Sequence, residues 1–222
     1  MDHHSRYLLN CKGLDGTGFH AAKQQFIHLF REYGLPERIR TDNGVPFAAR
    51  TAGGLSRLSI WWIRLGILPE RIKPGRPQQN GRHERMHRTL KKATAKPPAG
   101  SFRAQQQRFD QFIQEYNELR PHESLHQQTP ASWYTASPRP YPESLPVLTY
   151  PAYYQVYTVK NNGVVYSHNG QIYVSHVLEG EQVGMEEVDD GVWDIYFGPI
   201  RLGYYDIREK KGKGTPYWTI KV

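Results

Sequence analysis

Residues 76–91 read RPQQNGRHERMHRTLK. From Gly81 onward the spacing is helical: at about 100° per residue, Met86, Leu90 and Ala93 share one face while Glu84, Arg88 and Lys91 fall roughly opposite. One face is set to pack and the other to meet a ligand. The surrounding charge is one-sided, with eleven basic residues between Arg71 and Arg108 against a single acid, Glu84. Solvated helix faces ordinarily mix both signs, because like charges four residues apart repel. An unmixed stretch is the footprint of a polyanion partner, and nucleic acid is the expected one.

The whole chain of 222 residues carries a net charge of +8, unevenly divided. Residues 1–140 hold 22 Lys and Arg against 11 Asp and Glu, a balance of +11, and the remainder stands at −3. With 38% hydrophobic and 23% charged residues the composition is globular, neither disordered nor fibrous. No apolar run approaches the roughly 18 residues of a membrane span, and no basic-then-apolar leader opens the chain, so a soluble cytoplasmic protein without a membrane partner is expected. The lone Cys11 excludes a disulfide framework and a cysteine zinc site, and the ten His show no Cys/His ligand spacing. Redox chemistry is excluded, and no small-molecule substrate is expected.

Working outward, Ser5 to Cys11 reads as a short strand, and Phe19, Ala22, Phe26, Phe30 and Tyr33 mark an amphipathic helix stopped by Gly34 and Pro36. A buried strand around Ile39 then runs into Asp42-Asn43-Gly44, which puts Asp42 at a strand's carboxyl end. Leu55, Leu58, Trp62 and Leu65 predict a second helix closed by Gly66, with Ile67-Leu68 a short strand after it. Beyond the basic helix, Pro97, Pro98 and Gly100 break the pattern. Phe102, Phe109, Phe112, Ile113, Tyr116 and Leu119 then predict another helix ending at Arg120-Pro121. Alternating strands and helices indicate an α/β sheet domain over residues 1–136.

Five prolines (138, 140, 142, 146, 151) make residues 137–151 a semi-rigid linker. Past it, runs rich in Val, Tyr, Ile and Trp are cut by Asn161-Asn162-Gly163, Asn169-Gly170, Glu179-Gly180, Asp189-Asp190-Gly191 and Gly198-Pro199. Turns about ten residues apart predict a small all-β barrel or sandwich of roughly five strands over 152–209. Residues 210–222, opening with KKGKG, are expected as a solvated basic tail.

Two acids stand out by context. Asp42 in Thr41-Asp-Asn-Gly is explained without function as a turn residue, and Glu84 as a surface carboxylate paired with Arg88. Taken together, the ordered motifs go further. Asp2-His-His-Ser-Arg-Tyr, Tyr33-Gly-Leu-Pro, TDNG from Thr41, Gly66-Ile and the stretch from Arg76 to Lys91 are followed by YNELRPHESL from Tyr116 and Thr129-Pro-Ala. In that order they resemble the DDE transposases of bacterial insertion sequences and their relatives, the retroviral integrases. The β tail with Trp193 and Phe197-Gly198-Pro199 is similar to the C-terminal module of one insertion-sequence group.

The resemblance implies a ribonuclease H-like integrase catalytic core in which three carboxylates hold two Mg²⁺ (or Mn²⁺) ions for phosphoryl transfer on DNA. Hard cations need oxygen ligands, and an in-line displacement needs charge neutralised at the attacking and leaving atoms. Asp42 matches the second carboxylate and Glu84 the third, as catalytic and metal-binding residues. The 41 residues between them exceed the family's usual interval, and the excess is assigned to Arg50–Gly54. Arg76, Arg82, Arg85, Arg88, Lys91 and Lys92 are expected to bind DNA phosphates. Asp2 matches the later Asp of the D-x-x-S-R pattern and not the first carboxylate, so the core is expected to lack its first strands and its first catalytic Asp. A transposase-type polynucleotidyl transferase of a mobile element, inactive alone, is therefore the expectation, self-associating when complete and nucleoid-associated in a bacterium. A non-catalytic DNA-binding remnant is the alternative, and a metal-dependent ribonuclease of the same fold is the third reading.

Overall fold

The computed structural model describes residues 1–14, 16, 18–49, 51–73, 75–209 and 217–222. Arg50, at the start of the expected insertion, and residues 210–216 of the expected tail lie outside the described residues. In chain order the elements are α1 (Phe19–Tyr33), β1 (Arg38–Thr41), α2 (Arg57–Arg64), β2 (Leu68–Arg71), α3 (Gly81–Thr94), α4 (Phe102–Gln114) and α5 (Pro130–Trp133), then β3 (Gln155–Thr158), β4 (Val164–Ser167), β5 (Gly170–Tyr173), β6 (Gln182–Asp189), β7 (Val192–Phe197), β8 (Ile200–Asp206) and β9 (Tyr217–Thr219). Contacts gather these into two compact units, Met1–Pro36 with Arg71–Tyr141, and Glu37–Glu70 with Pro142–Val222.

In the first unit α3 and α4 close on a core of Leu8, Met86, Leu90, Phe112 and Tyr116. The inward ridge of α3 runs 86, 90, 94. Thr94 is buried, its hydroxyl donating to the Leu90 carbonyl at 2.8 Å, whereas Ala93, expected inside, is exposed. Leu119, also expected on an apolar face, is exposed where the helix departs from α-helical spacing, and Phe102 is exposed at the first position of α4. After α4 residues Glu115–Leu119 widen into a π turn, the Arg120 amide donating to the Glu115 carbonyl at 3.0 Å.

That turn explains why Ser5–Cys11, expected as a strand, forms none. Its middle residue Leu8 finds its partners in a side chain: the Leu8 amide donates to Asn117 Oδ1 at 2.8 Å, and Asn117 Nδ2 donates to the Leu8 carbonyl at 3.1 Å. One buried amide group does the pairing that a neighbouring strand would do. Gly34, at φ 77°, ends α1 where the backbone of residues 137–139 comes so close that a Cβ would meet the Ser137 carbonyl. The Leu35 amide donates to the Arg139 carbonyl at 2.7 Å and the Ser137 amide to the Tyr33 carbonyl at 2.9 Å. The opening of the Pro-rich stretch is thus pinned down.

In the second unit α2 is buried on every side of its middle turns. Leu58 through Ile63 are all buried, and Ser56 caps the helix reciprocally with Ser59. Its Ile60 and Ile63, with Leu55, belong to the same core as Val165, Ile172, Met185, Ile195, Phe197 and Leu202 of the β region. Gly198, at the β7–β8 turn, lies so near that a Cβ there would stand 3.0 Å from Ile63. β1 and β2 pair as a two-stranded sheet whose exposed Arg38 and Arg40 both reach Glu70, at 2.9 and 3.0 Å. Ile39, expected to be buried, is half-buried, as an isolated two-stranded sheet allows.

The β region forms two open sheets, an antiparallel β3-β6-β7-β8 and a β4-β5-β9 in which β5 and β9 run parallel. It has seven strands among the described residues where about five were expected, β9 coming from the stretch assigned to a solvated tail. Trp218 and Ile220 there are buried in the core, so apolar burial holds the chain's end in place. The later part of the Pro-rich stretch is docked too, the Tyr150 hydroxyl donating to the Gln182 carbonyl at 2.8 Å.

Candidate nucleic-acid interface

Helix α3 turns Met86, Leu90 and Thr94 inward, which leaves its charged residues outside. Glu84, Arg85, Arg88, Lys91 and Lys92 are exposed, and none forms an ion pair with another described residue. The pairing of Glu84 with Arg88 that would have explained both as surface decoration is therefore not made. Arg82, also exposed, donates to the His3 carbonyl at 3.0 Å. Arg76 is exposed in the turn that leads into the helix. Cations held on a rigid helix and not ion-paired keep their donors for phosphate oxygens. Burial and then the Lys91 ammonium hold His87 below the ordinary imidazole value, which keeps that ring neutral in this basic setting.

Asp42 is exposed one residue past β1, and its Oδ1 accepts the Gly44 amide at 3.0 Å, the turn geometry that Asp-Asn-Gly favours. Its other oxygen has no such bond among the described residues. Asp42 lies in the second unit and Glu84 in the first. Among the described residues no group of three or more His, Cys, Asp or Glu side chains is placed to hold a metal ion. Carboxylate oxygens suit a hard dication, so each of these two acids is of a type that fits Mg²⁺.

Residues 65–130 match the integrase core domain family, a span that takes in α3, α4 and the π turn. Over that span the chain resembles an integrase core. Over 80 residues it is 36% identical to the Gag-Pol polyprotein of baboon endogenous virus (strain M7) and equally to the Pol polyprotein of feline endogenous virus ECE1. Those 80 residues are 36% of this chain but only 4% and 7% of the two viral polyproteins. A solved structure, the simian T-cell lymphotropic virus intasome in complex with the PP2A regulatory subunit B56 gamma, is 20% identical with a TM-score of 0.42, covering 86% of this chain and 65% of its own. The mixed α/β order of the integrase-like core, followed by an all-β region, agrees with the fold class read from the sequence. No helix among the described residues is long and apolar enough to cross a membrane.

Several residues that carried the resemblance serve the scaffold of this core. Asp2 Oδ2 accepts both the amide and the hydroxyl of Ser5 at 2.6 Å, closing a tight turn, which accounts for the D-x-x-S spacing. Burial raises the Asp2 carboxyl, but the Ser5 bonds outweigh it and hold the group below its ordinary value. Tyr7 stacks on Tyr134 at 4.3 Å between centroids and meets Tyr33 edge-on at 6.3 Å. His122 sets its ring edge-on to Tyr116 at 4.9 Å, and Asn117 bonds Leu8 as described. Sequence reading had no signal for the pairing of Asn117 with Leu8, 109 positions away.

Helix α3 also brings two histidines together. His83 and His87, four apart, bring their Nε2 atoms to 2.9 Å. Their i,i+4 interval on the helix sets the two rings one turn apart.

Proposed function

We propose that this chain is the DNA-binding, carboxylate-bearing part of an integrase- or transposase-type polynucleotidyl transferase. The observation that carries the reading is α3: an integrase-like helix whose buried face fixes it while Glu84 and four unpaired cations stand exposed. In this reading Arg76, Arg82, Arg85, Arg88, Lys91 and Lys92 contact the phosphate backbone, setting position without reading sequence. Asp42 and Glu84 would hold Mg²⁺ or Mn²⁺, which supplies charge neutralisation at the attacking and departing oxygens. Two carboxylates hold one cation well at best, so the chain by itself binds DNA without joining it. Insertion-sequence origin, self-association on DNA and a nucleoid location belong to the same proposal.

The test is a paired assay on linear DNA. Binding is followed from low to physiological salt, and cleavage and strand transfer are followed with Mg²⁺ and with Mn²⁺. Salt-sensitive binding without joining is expected. Salt-insensitive affinity would sink the phosphate-contact model, and joining abolished by Asp42→Asn or Glu84→Gln would show that the chain is catalytically competent. Hydrolysis of an RNA–DNA hybrid would favour the ribonuclease reading instead.

A further inference from the structure

On α3 the run His83-Glu84-Arg85-Met86-His87 spells H-E-x-x-H, a helical spacing that sets two imidazoles one turn apart. The rings face each other with centroids 4.3 Å apart and planes at 71°, and their Nε2 atoms are separated by 2.9 Å. Metal–imidazole bonds are about 2.0–2.1 Å, so two cis ligands at a right angle have nitrogens about 2.9 Å apart, whereas a tetrahedral angle separates them by about 3.4 Å. The observed spacing is thus that of adjacent corners of a square or an octahedron. Tetragonal geometry with nitrogen and oxygen donors is the preference of Cu²⁺ and Ni²⁺.

We propose that His83 and His87 form a two-imidazole site for a tetragonal transition-metal dication of the Cu²⁺ and Ni²⁺ class, with water completing its shell. The site rests on α3 alone and stands whether or not Glu84 is a catalytic carboxylate. It differs from a peptidase centre built on the same spacing, because no third His, Cys, Asp or Glu ligand joins the pair among the described residues. The basic neighbours Arg85, Arg88 and Lys91 set an electrostatic cost on any dication, and the imidazole donors select a softer ion over Mg²⁺, which prefers oxygen ligands.

The experiment titrates CuCl₂, then NiCl₂, into the full untagged chain, following binding calorimetrically and the Cu²⁺ complex by electron paramagnetic resonance. It is run in a His3→Asn, His4→Asn background, so that the amino-terminal segment contributes no imidazole. One saturable equivalent with coupling to two nitrogens is expected, held more tightly for Cu²⁺ than for Ni²⁺ and kept in excess Mg²⁺. His83→Asn and His87→Asn should each weaken it by about tenfold or more, as loss of a direct ligand must exceed the effect of losing an outer-shell partner. His28→Asn, on α1, should leave it unchanged. The nitrogen coupling is read on a chain with both imidazoles intact, so the result does not depend on how the substituted chains fold. No saturable binding, coupling to fewer than two nitrogens, displacement by Mg²⁺ or survival in either α3 variant would each overturn the site and leave a plain imidazole–imidazole hydrogen bond. None of these outcomes bears on strand transfer, so this site and the proposed DNA chemistry fail separately.

Discussion

Replacing Asn117 tests whether one side chain substitutes for a strand. Asn117 and Leu8 are 2% and 1% exposed, so water has no access to the backbone groups that the amide satisfies. Asn117→Leu keeps most of the volume and removes both hydrogen bonds, leaving the Leu8 amide and carbonyl buried without partners. Each stranded group costs about 1–3 kcal/mol, which places the loss at about 2–5 kcal/mol after some relaxation. Asn117→Asp keeps an acceptor for the amide but sets a carboxylate against the Leu8 carbonyl, so it should also destabilise. The chain has two units, so a single global unfolding curve mixes two transitions. The local reading comes instead from hydrogen exchange at the Leu8 amide, which should be among the slower amides of the first unit and become fast in the Leu variant. Exchange at Leu8 changed by less than about 0.5 kcal/mol in the opening free energy would refute the argument, since two buried bonds cannot be worth so little.

Three further outcomes are expected. Arg88→Ala with Lys91→Ala should weaken DNA binding and lower the log–log salt slope by about 1.8, near 0.9 for each lost phosphate contact, measured by fluorescence anisotropy across a salt series. Gly34→Ala should cost about 1–3 kcal/mol, seen as a lower melting temperature of the first unit, because its φ of 77° disfavours a side chain and the Ser137 carbonyl occupies the Cβ position. The Asp2 carboxyl, depressed by its Ser5 bonds, contributes stability that is present above its unfolded value of about 3.9 and is lost as pH falls through its folded value. A thermal-melt series down to acid pH should show that loss, and Asp2→Asn should flatten it.

What could be read in the sequence follows the range of the interactions involved. Helices α1 to α4 announce themselves by apolar spacing because their buried faces are set by neighbours three and four residues away. The turns at Asn169-Gly170, Asp190-Gly191 and Gly198-Pro199 were equally legible, since each carries its own backbone preference. The basic face of α3 was visible as a run of charge. Distant partners were not visible: Leu8 with Asn117, β5 with β9, and α2 with the β region each depend on residues many tens of positions apart. Ser5–Cys11 has a strand's composition but pairs with no strand among the described residues, and composition cannot report that. The stretch after Lys210 resembled a frayed end because its opening is basic and glycine-rich, while Trp218 and Ile220 carry the burial that fixes it.

The division of contacts means that the chain passes from one unit to the other three times, after Pro36, after Glu70 and after Tyr141. The β region is therefore not a detachable appendage hung on a Pro-rich tether. A chain cut after Tyr141 would uncover Leu55, Ile60 and Ile63, whose core lies mostly in residues beyond the cut, and would present them to water as a sticky surface. Recombination at one junction cannot exchange this region for another without rebuilding α2 to match. Thermodynamically, the order of the strand leading to Asp42 is linked to the folding of residues 142–222, so lesions far away in sequence reach that strand by melting its support.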